Sequence, residues 1–169
     1  MINRILQFFG VKKKITFPIS MNEEAIDMIL SNKEMLVWKL PPPMHIYQAA
    51  RERFGPTVDW DNGTIFTWGY NVFARRDLTP DLWIHEETHV RQQTTRGISP
   101  DEWWEKYLDD SHFRLDQELE AYQAQLDFIK IHNKQRDEHA KMKHRIAQLL
   151  SGPMYGNITS YQQVLTSLK

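Results

Sequence analysis

Cysteine is absent from the 169-residue chain. Disulfide frameworks, thiolate metal sites and Cys nucleophiles are thereby excluded, and any metal must be held by His, Asp or Glu. Long apolar runs are also missing. No stretch approaches the ~18 uninterrupted apolar residues of a membrane span. The opening MINRILQFFG is too short in its apolar part for a signal peptide. It reads instead as a small amphipathic helix packed on the body, since a membrane-surface anchor needs more basic and apolar area. Charge of one sign is lacking too: Lys plus Arg is 21 and Asp plus Glu is 22, a formal net charge of −1. No global basic field advertises nucleic-acid binding.

What is present fits a folded chain. Apolar residues make up 41%, charged residues 25% and aromatics 12%, which excludes disordered and low-complexity classes. The length suits one domain over residues 1–169, and no repeat or Gly/Ser linker divides it. Most prolines and glycines fall in residues 1–78, whereas residues 79–151 contain only Pro80, Pro100 and Gly97. The expected class is α+β, with a small antiparallel or mixed sheet in the N-terminal half packed on a helical C-terminal half.

The patterning predicts strands at Ile15–Phe17 and Leu36–Trp38, then a helix from the Pro41-Pro42-Pro43 break to Gly55-Pro56. Val58–Trp60, Thr64–Trp68 and Val72–Ala74 read as an antiparallel meander with turns at Asp61-Asn62-Gly63 and Gly69-Tyr70-Asn71. Thr79-Pro80 opens a helix that Gly97 stops, and Ser99-Pro100-Asp101-Glu102 is a capping box for the next. A helical run from His112 to Leu150 breaks near His132-Asn133, and Thr159-Ser160 caps a last short helix. Trp103-Trp104 reads as one core ring and one half-exposed ring. The basic stretch Lys130–Arg145 reads as a solvated helix face.

The Pro80–Arg96 helix carries His85-Glu86-Glu87-Thr88-His89. Residues four apart share a helical face, so both imidazoles of an H-E-x-x-H string reach one ion, and the Glu beside the first His can take a proton from water. On a helical wheel His85, Glu86, His89 and Gln93 lie within about 60° of Leu82. Ile84, Glu87 and Arg91 fall on the far side. A buried face with two His and a Glu is costly unless they pair or ligate something.

A third ligand must come from downstream, where Asp109, Asp110, His112, Asp116, Glu118 and Glu120 are the candidates. Gln92 and Thr95 occupy the positions where a metzincin carries Gly and His. Leu115, Leu119, Tyr122, Leu126 and Ile129 recur as a core stripe. Glu118 lies about 60° or less from Leu115 and Tyr122, whereas Glu120 lies about 100–160° from its stripe neighbours and should face water. Small Ala121 would let two helices approach. Glu118 is therefore the preferred ligand and His112 the weaker alternative.

His85-Glu86-x-x-His89 followed by Glu118-x-x-Ala121 resembles the gluzincins, zinc peptidases whose third ligand is a Glu on a second helix. The short form is similar to HtpX-like peptidases and to small phage-associated anti-repressor peptidases. A looser likeness to phage- or prophage-encoded H-E-x-x-H proteins runs from about Gly63 to Tyr161. Tyr122 stands where many gluzincins carry an Asp or Asn that orients a ligand. The resemblance implies a minimal zincin-like fold and Zn²⁺ on His85, His89 and Glu118. It also implies Glu86 as proton acceptor and a peptide or protein substrate, with an edge strand before the site helix receiving the substrate backbone. Tyr122, Gln93, Tyr107, His112 and Arg114 are candidates for transition-state or supporting roles. The implied setting is a bacterial host cytoplasm or a phage particle. In the particle, the alternative is an assembly protein with a structural or vestigial metal site and a phage structural partner. Hydrolysis of a cell-wall peptide crosslink is a third reading.

Overall fold

The computed structural model describes residues 3–8, 11–16, 35–132 and 136–169. Strands β1 (Asn3–Phe8) and β2 (Val11–Thr16) form an antiparallel hairpin in which Asn3 pairs with Thr16 and Phe8 with Val11. The opening residues are therefore not the expected amphipathic helix. The β-branched Val11, Ile15 and Thr16 favour an extended partner strand, and the ladder satisfies the backbone that a helix would otherwise pair within itself. Of the predicted Ile15–Phe17 strand, Phe17 lies outside the described residues.

The second sheet has the order β3 (Leu36–Trp38), β5 (Asn71–Phe73), β4 (Phe66–Trp68). β4 and β5 are antiparallel across the Gly69-Tyr70 turn, with Gly69 at φ 58°, while β3 runs parallel to β5. The sheet is thus mixed, and the predicted meander is corrected at one strand. Val58–Trp60 is not a strand, because Asp59 is engaged by its own loop. Its carbonyl accepts from the N–H groups of Asn62 and Thr64, and its carboxylate accepts from Asp61 N–H. Val58 and Trp60 are both buried, so the alternation that resembles a strand belongs to a loop pressed on the core.

Among the described residues, five longer helices follow from the local signals. α1 (Met44–Phe54) starts after Pro43 and ends at Gly55, whose φ of 81° suits glycine. α2 (Pro80–Thr94) begins at Thr79-Pro80, and Gly97 at φ 75° turns the chain beyond it. α3 (Pro100–Asp109) carries the predicted capping box: Ser99 Oγ accepts from Glu102 N–H, and the Glu102 carboxylate accepts from Ser99 N–H. α4 (Ser111–His132) and α5 (Arg136–Leu150) flank the predicted break, of which residues 133–135 lie outside the described set. A 3₁₀ turn (Pro153–Tyr155) leads to α6 (Tyr161–Ser167), capped by Ser160 and Gln163. Among the described residues no helix is long and apolar enough to cross a membrane.

Among the described residues, three apolar clusters hold the sheet of β3–β5 and the helices together. Met35, Val72, Ala74, Trp83, Val90 and Phe128 join the sheet to α2 and α4. Ile46, Ala50, Phe66, Trp103, Trp104 and Tyr107 join α1 and α3 to β4. Leu115, Leu126, Ile146, Leu150, Val164 and Leu168 join α4, α5 and α6. Both Trp103 and Trp104 are buried, contrary to the expected half-exposed ring. Each indole N–H has an acceptor, Gln117 Oε1 and the Thr67 carbonyl respectively, so neither ring needs water.

α2 and α4 share the largest helix–helix contact, with α2 lying between α4 and β4. This makes α2 buried on more sides than its wheel indicates. Ile84, expected on the far side, packs against the first cluster, while Arg91 is exposed as predicted. α4 likewise buries two faces. Its apolar stripe meets α5 and α6, and a second face carries the buried Gln117, Glu118, Ala121 and Gln125. That polar second face is what sets up the site.

Candidate functional site

The helical repeat brings His85, Glu86 and His89 to the buried side of α2, each 6% exposed, and Glu118 of α4 joins them at 6%. His85 Nε2 and His89 Nε2 are 3.1 Å apart. Glu118 Oε1 is 3.5 Å from His89 Nε2, and its Oε2 is 3.7 Å from His85 Nε2. Tetrahedral ligands held at roughly 2.0–2.1 Å from one ion sit about 3.3–3.4 Å apart. The three side chains thus already stand at separations a small divalent cation can span, and they form the cluster of metal-ligating type among the described residues. Nitrogen and carboxylate donors without thiolate suit zinc and related first-row ions.

Glu86 does not point to solvent. Its Oε2 accepts a hydrogen bond of 2.7 Å from Thr67 Oγ1 on β4. Burial raises its pKa; His89 and the Thr67 hydroxyl oppose the shift, and Glu118 adds to it. Burial also pushes the His85 imidazole well below its usual value, reinforced by neighbouring His89. A neutral imidazole is the ligand form.

An outer ring of side chains holds these groups. Tyr107 Oη donates to Glu118 Oε1 at 2.7 Å, and burial followed by the Glu118 charge keeps this phenol protonated. The Tyr122 ring packs edge-on to His85 at 4.4 Å between centroids, and burial with the Glu118 and Glu86 charges raises its pKa. The Trp103 ring lies edge-on to His89 at 5.7 Å. His89 Nδ1 faces Gln92 Oε1 at 2.9 Å.

The remaining sequence candidates are placed elsewhere. Gln93 ties α2 to the sheet, accepting from Gly69 N–H and donating to the Thr67 carbonyl. The His112 side chain is 80% exposed and lies beside Asp110, so it is not brought to the cluster. The start of α4 is capped by Asp110 and its chain turns that position outward. Arg114 is buried, but it donates to the carbonyls of Tyr107, Leu108 and Met154 and not into the site. Glu120 is not fully solvated. It pairs with Arg96 and Arg91 and accepts from Gln92 Nε2. Four contributors went unread in the sequence: Thr67, Asp81, Gln92 and Gln125. Two had a usable signal, since Gln92 lies one turn beyond His89 and Gln125 two turns beyond Glu118.

β4 is an edge strand of its sheet, the position from which the resemblance expects pairing with a substrate backbone. The Thr67 carbonyl, however, accepts from both Gln93 Nε2 at 2.9 Å and Trp104 Nε1 at 2.8 Å. Strand addition at Thr67 would have to displace both donors.

Comparison of the chain with protein-family models, curated proteins and solved structures finds no match.

Proposed function

We propose that the protein is a small zinc-dependent peptidase, with His85, His89 and Glu118 as metal ligands and Glu86 as proton acceptor. The observation that carries this reading is the convergence of three ligand atoms from two helices, at 3.1, 3.5 and 3.7 Å, with a buried carboxylate next in sequence to the first ligand. Bound there, zinc supplies Lewis acidity and lowers the pKa of water toward ~7. Thr67 holds the Glu86 carboxylate in one rotation. Glu86 accepts the proton that the attacking water gives up and passes it to the leaving amine as the C–N bond breaks. Tyr122, beside His85 and within the field of both Glu86 and Glu118, is the phenol best placed to donate to the developing oxyanion. The occupied Thr67 carbonyl favours a substrate held by contacts other than backbone pairing at that residue.

Metal titration tests the ligand set. Purified protein stripped with a chelator should bind one zinc ion, and cleavage of an unstructured protein substrate should vanish on stripping and return with zinc. Glu118→Ala should weaken zinc binding by more than the roughly 10–100-fold typical of losing an outer hydrogen-bond partner. Glu120→Ala, which removes only a contact to Gln92 and two arginines, should fall within or below that range. Equal affinity in the two variants, or no zinc binding by the wild type, overturns the assignment.

A further inference from the structure

Each imidazole has beside it a glutamine amide whose orientation other contacts fix, and this bears on where the ring protons sit. Gln92 Nε2 donates to the Gln117 carbonyl at 2.9 Å and to Glu120 Oε2 at 3.0 Å. Turning this amide over would set its oxygen against both of those acceptors, so Oε1 must be the atom facing His89 Nδ1. On the other ring, Gln125 Nε2 donates to Asp81 Oδ2 at 2.7 Å. That carboxylate likewise forbids the reversed amide. Gln125 is a side-chain neighbour of His85. His85 Nδ1 and Gln125 Oε1 are both buried, and neither has a hydrogen-bond partner among the described residues; a buried nitrogen and a buried amide oxygen left so are satisfied together when the nitrogen carries a proton.

The acceptor facing His89 calls for its proton on Nδ1, and the same placement on His85 would satisfy its two unpaired neighbours, Nδ1 and Gln125 Oε1. With both protons there, two bare Nε2 lone pairs confront each other at 3.1 Å beside a carboxylate. That arrangement is repulsive until a cation enters.

We propose that Gln92, and Gln125 held by Asp81, are the positioning residues that lock both imidazoles in the Nδ1–H tautomer and so aim two lone pairs at one point before any ion arrives. The inference rests on the metal-site reading and deepens it. It also explains how the chain manages with Tyr122 where the resembling peptidases carry an orienting Asp or Asn: the role moves to amides on α2 and α4.

The test is the imidazole ¹⁵N–¹H correlation spectrum of the full-length, chelator-stripped protein in weakly alkaline buffer, with zinc affinity measured in parallel. His85 and His89 should both appear as Nδ1–H tautomers. Gln92→Met should release His89, and Gln125→Met should release His85, toward the Nε2–H form. Each should lower zinc affinity by roughly 10–100-fold. The double variant Gln125→Glu with Asp81→Asn keeps an acceptor facing His85 and a donor facing that acceptor, and should restore the wild-type tautomer. Nε2–H tautomers in the wild type, or variants that leave the tautomer in place, overturn the inference even if zinc binds. Nδ1–H tautomers that respond to the amide variants in a protein unable to bind zinc uphold the positioning and overturn the metal reading instead. Should a Met variant fail to fold, Nε2–H tautomers in the wild type still overturn the inference, and the Gln125→Glu with Asp81→Asn variant still tests whether an acceptor at 125 sets the tautomer.

Discussion

Replacing Glu86 with Gln should lower peptide cleavage by about 10²–10⁴-fold, the range that a positioned general base contributes, while zinc stays bound at one equivalent. The change is close to isosteric, and the Thr67 hydroxyl that holds Oε2 can still donate to the amide oxygen, so packing around α2 is preserved. What is lost is proton affinity. Burial has raised that affinity in the wild type, which makes the ionised carboxylate a stronger base than one in water. Initial rates on an unstructured protein substrate, with metal content measured on the same samples, check the outcome. Wild type and variant cleaving alike would remove Glu86 from the chemistry. Loss of zinc together with loss of rate would make it a structural residue.

Arg114→Ala should produce the largest loss of stability, about 3 kcal/mol, through unpaired acceptors and lost packing. The guanidinium is buried and serves the Tyr107 and Leu108 carbonyls at the end of α3 together with the Met154 carbonyl of the 3₁₀ turn. Carbonyls at a helix C-terminus have no partner within the helix and must find one outside. Arg114 also stacks over Phe54 at 4.9 Å and Tyr107 at 5.8 Å. Urea unfolding should show the lowered midpoint with an unchanged slope, and Arg114→Lys should recover only part of it, because a single ammonium cannot reproduce the planar fork. A variant as stable as wild type would mean that the carbonyls re-pair with water at little cost. Since Tyr107 is the phenol that donates to Glu118, the clamp on its backbone also bears on the site.

How much of this was legible in the chain depends on the range of each interaction. The three residues of α2 were legible because four-residue spacing fixes a shared face regardless of context. The capping boxes at Ser99 and Ser160 were legible for the same reason, being closed within three residues. Glu118 was placed correctly beside the core. Glu120 faces water only in part, because a wheel describes one helix and the arginines that receive this carboxylate come from α2 and the turn after it. The parallel pairing of β3 with β5 joins residues 36–38 to 71–73 across an intervening helix, and no local periodicity encodes such a partner. Nor could Val58 and Trp60 reveal that they flank a loop, since burial at every second residue looks the same in either state. Gln92 and Gln125 were passed over as contributors because their type is ordinary on a helix surface, whereas Gln93 was a candidate from its place on the wheel. Burial marks Gln92 and Gln125 as more than solvated side chains, as their helical spacing from His89 and Glu118 could have indicated.

On the proposed assignment, dividing the ligands between α2 and α4 would have a consequence apart from catalysis. An ion gripped by both helices ties together segments that are separated by α3 along the chain, and it binds the folded form in preference to the unfolded one. At a hundredfold excess over the dissociation constant this linkage is worth about 2.7 kcal/mol. Resistance to heat would then follow the supply of free ion, and scarcity of the metal would loosen the scaffold as well as silence the proposed chemistry.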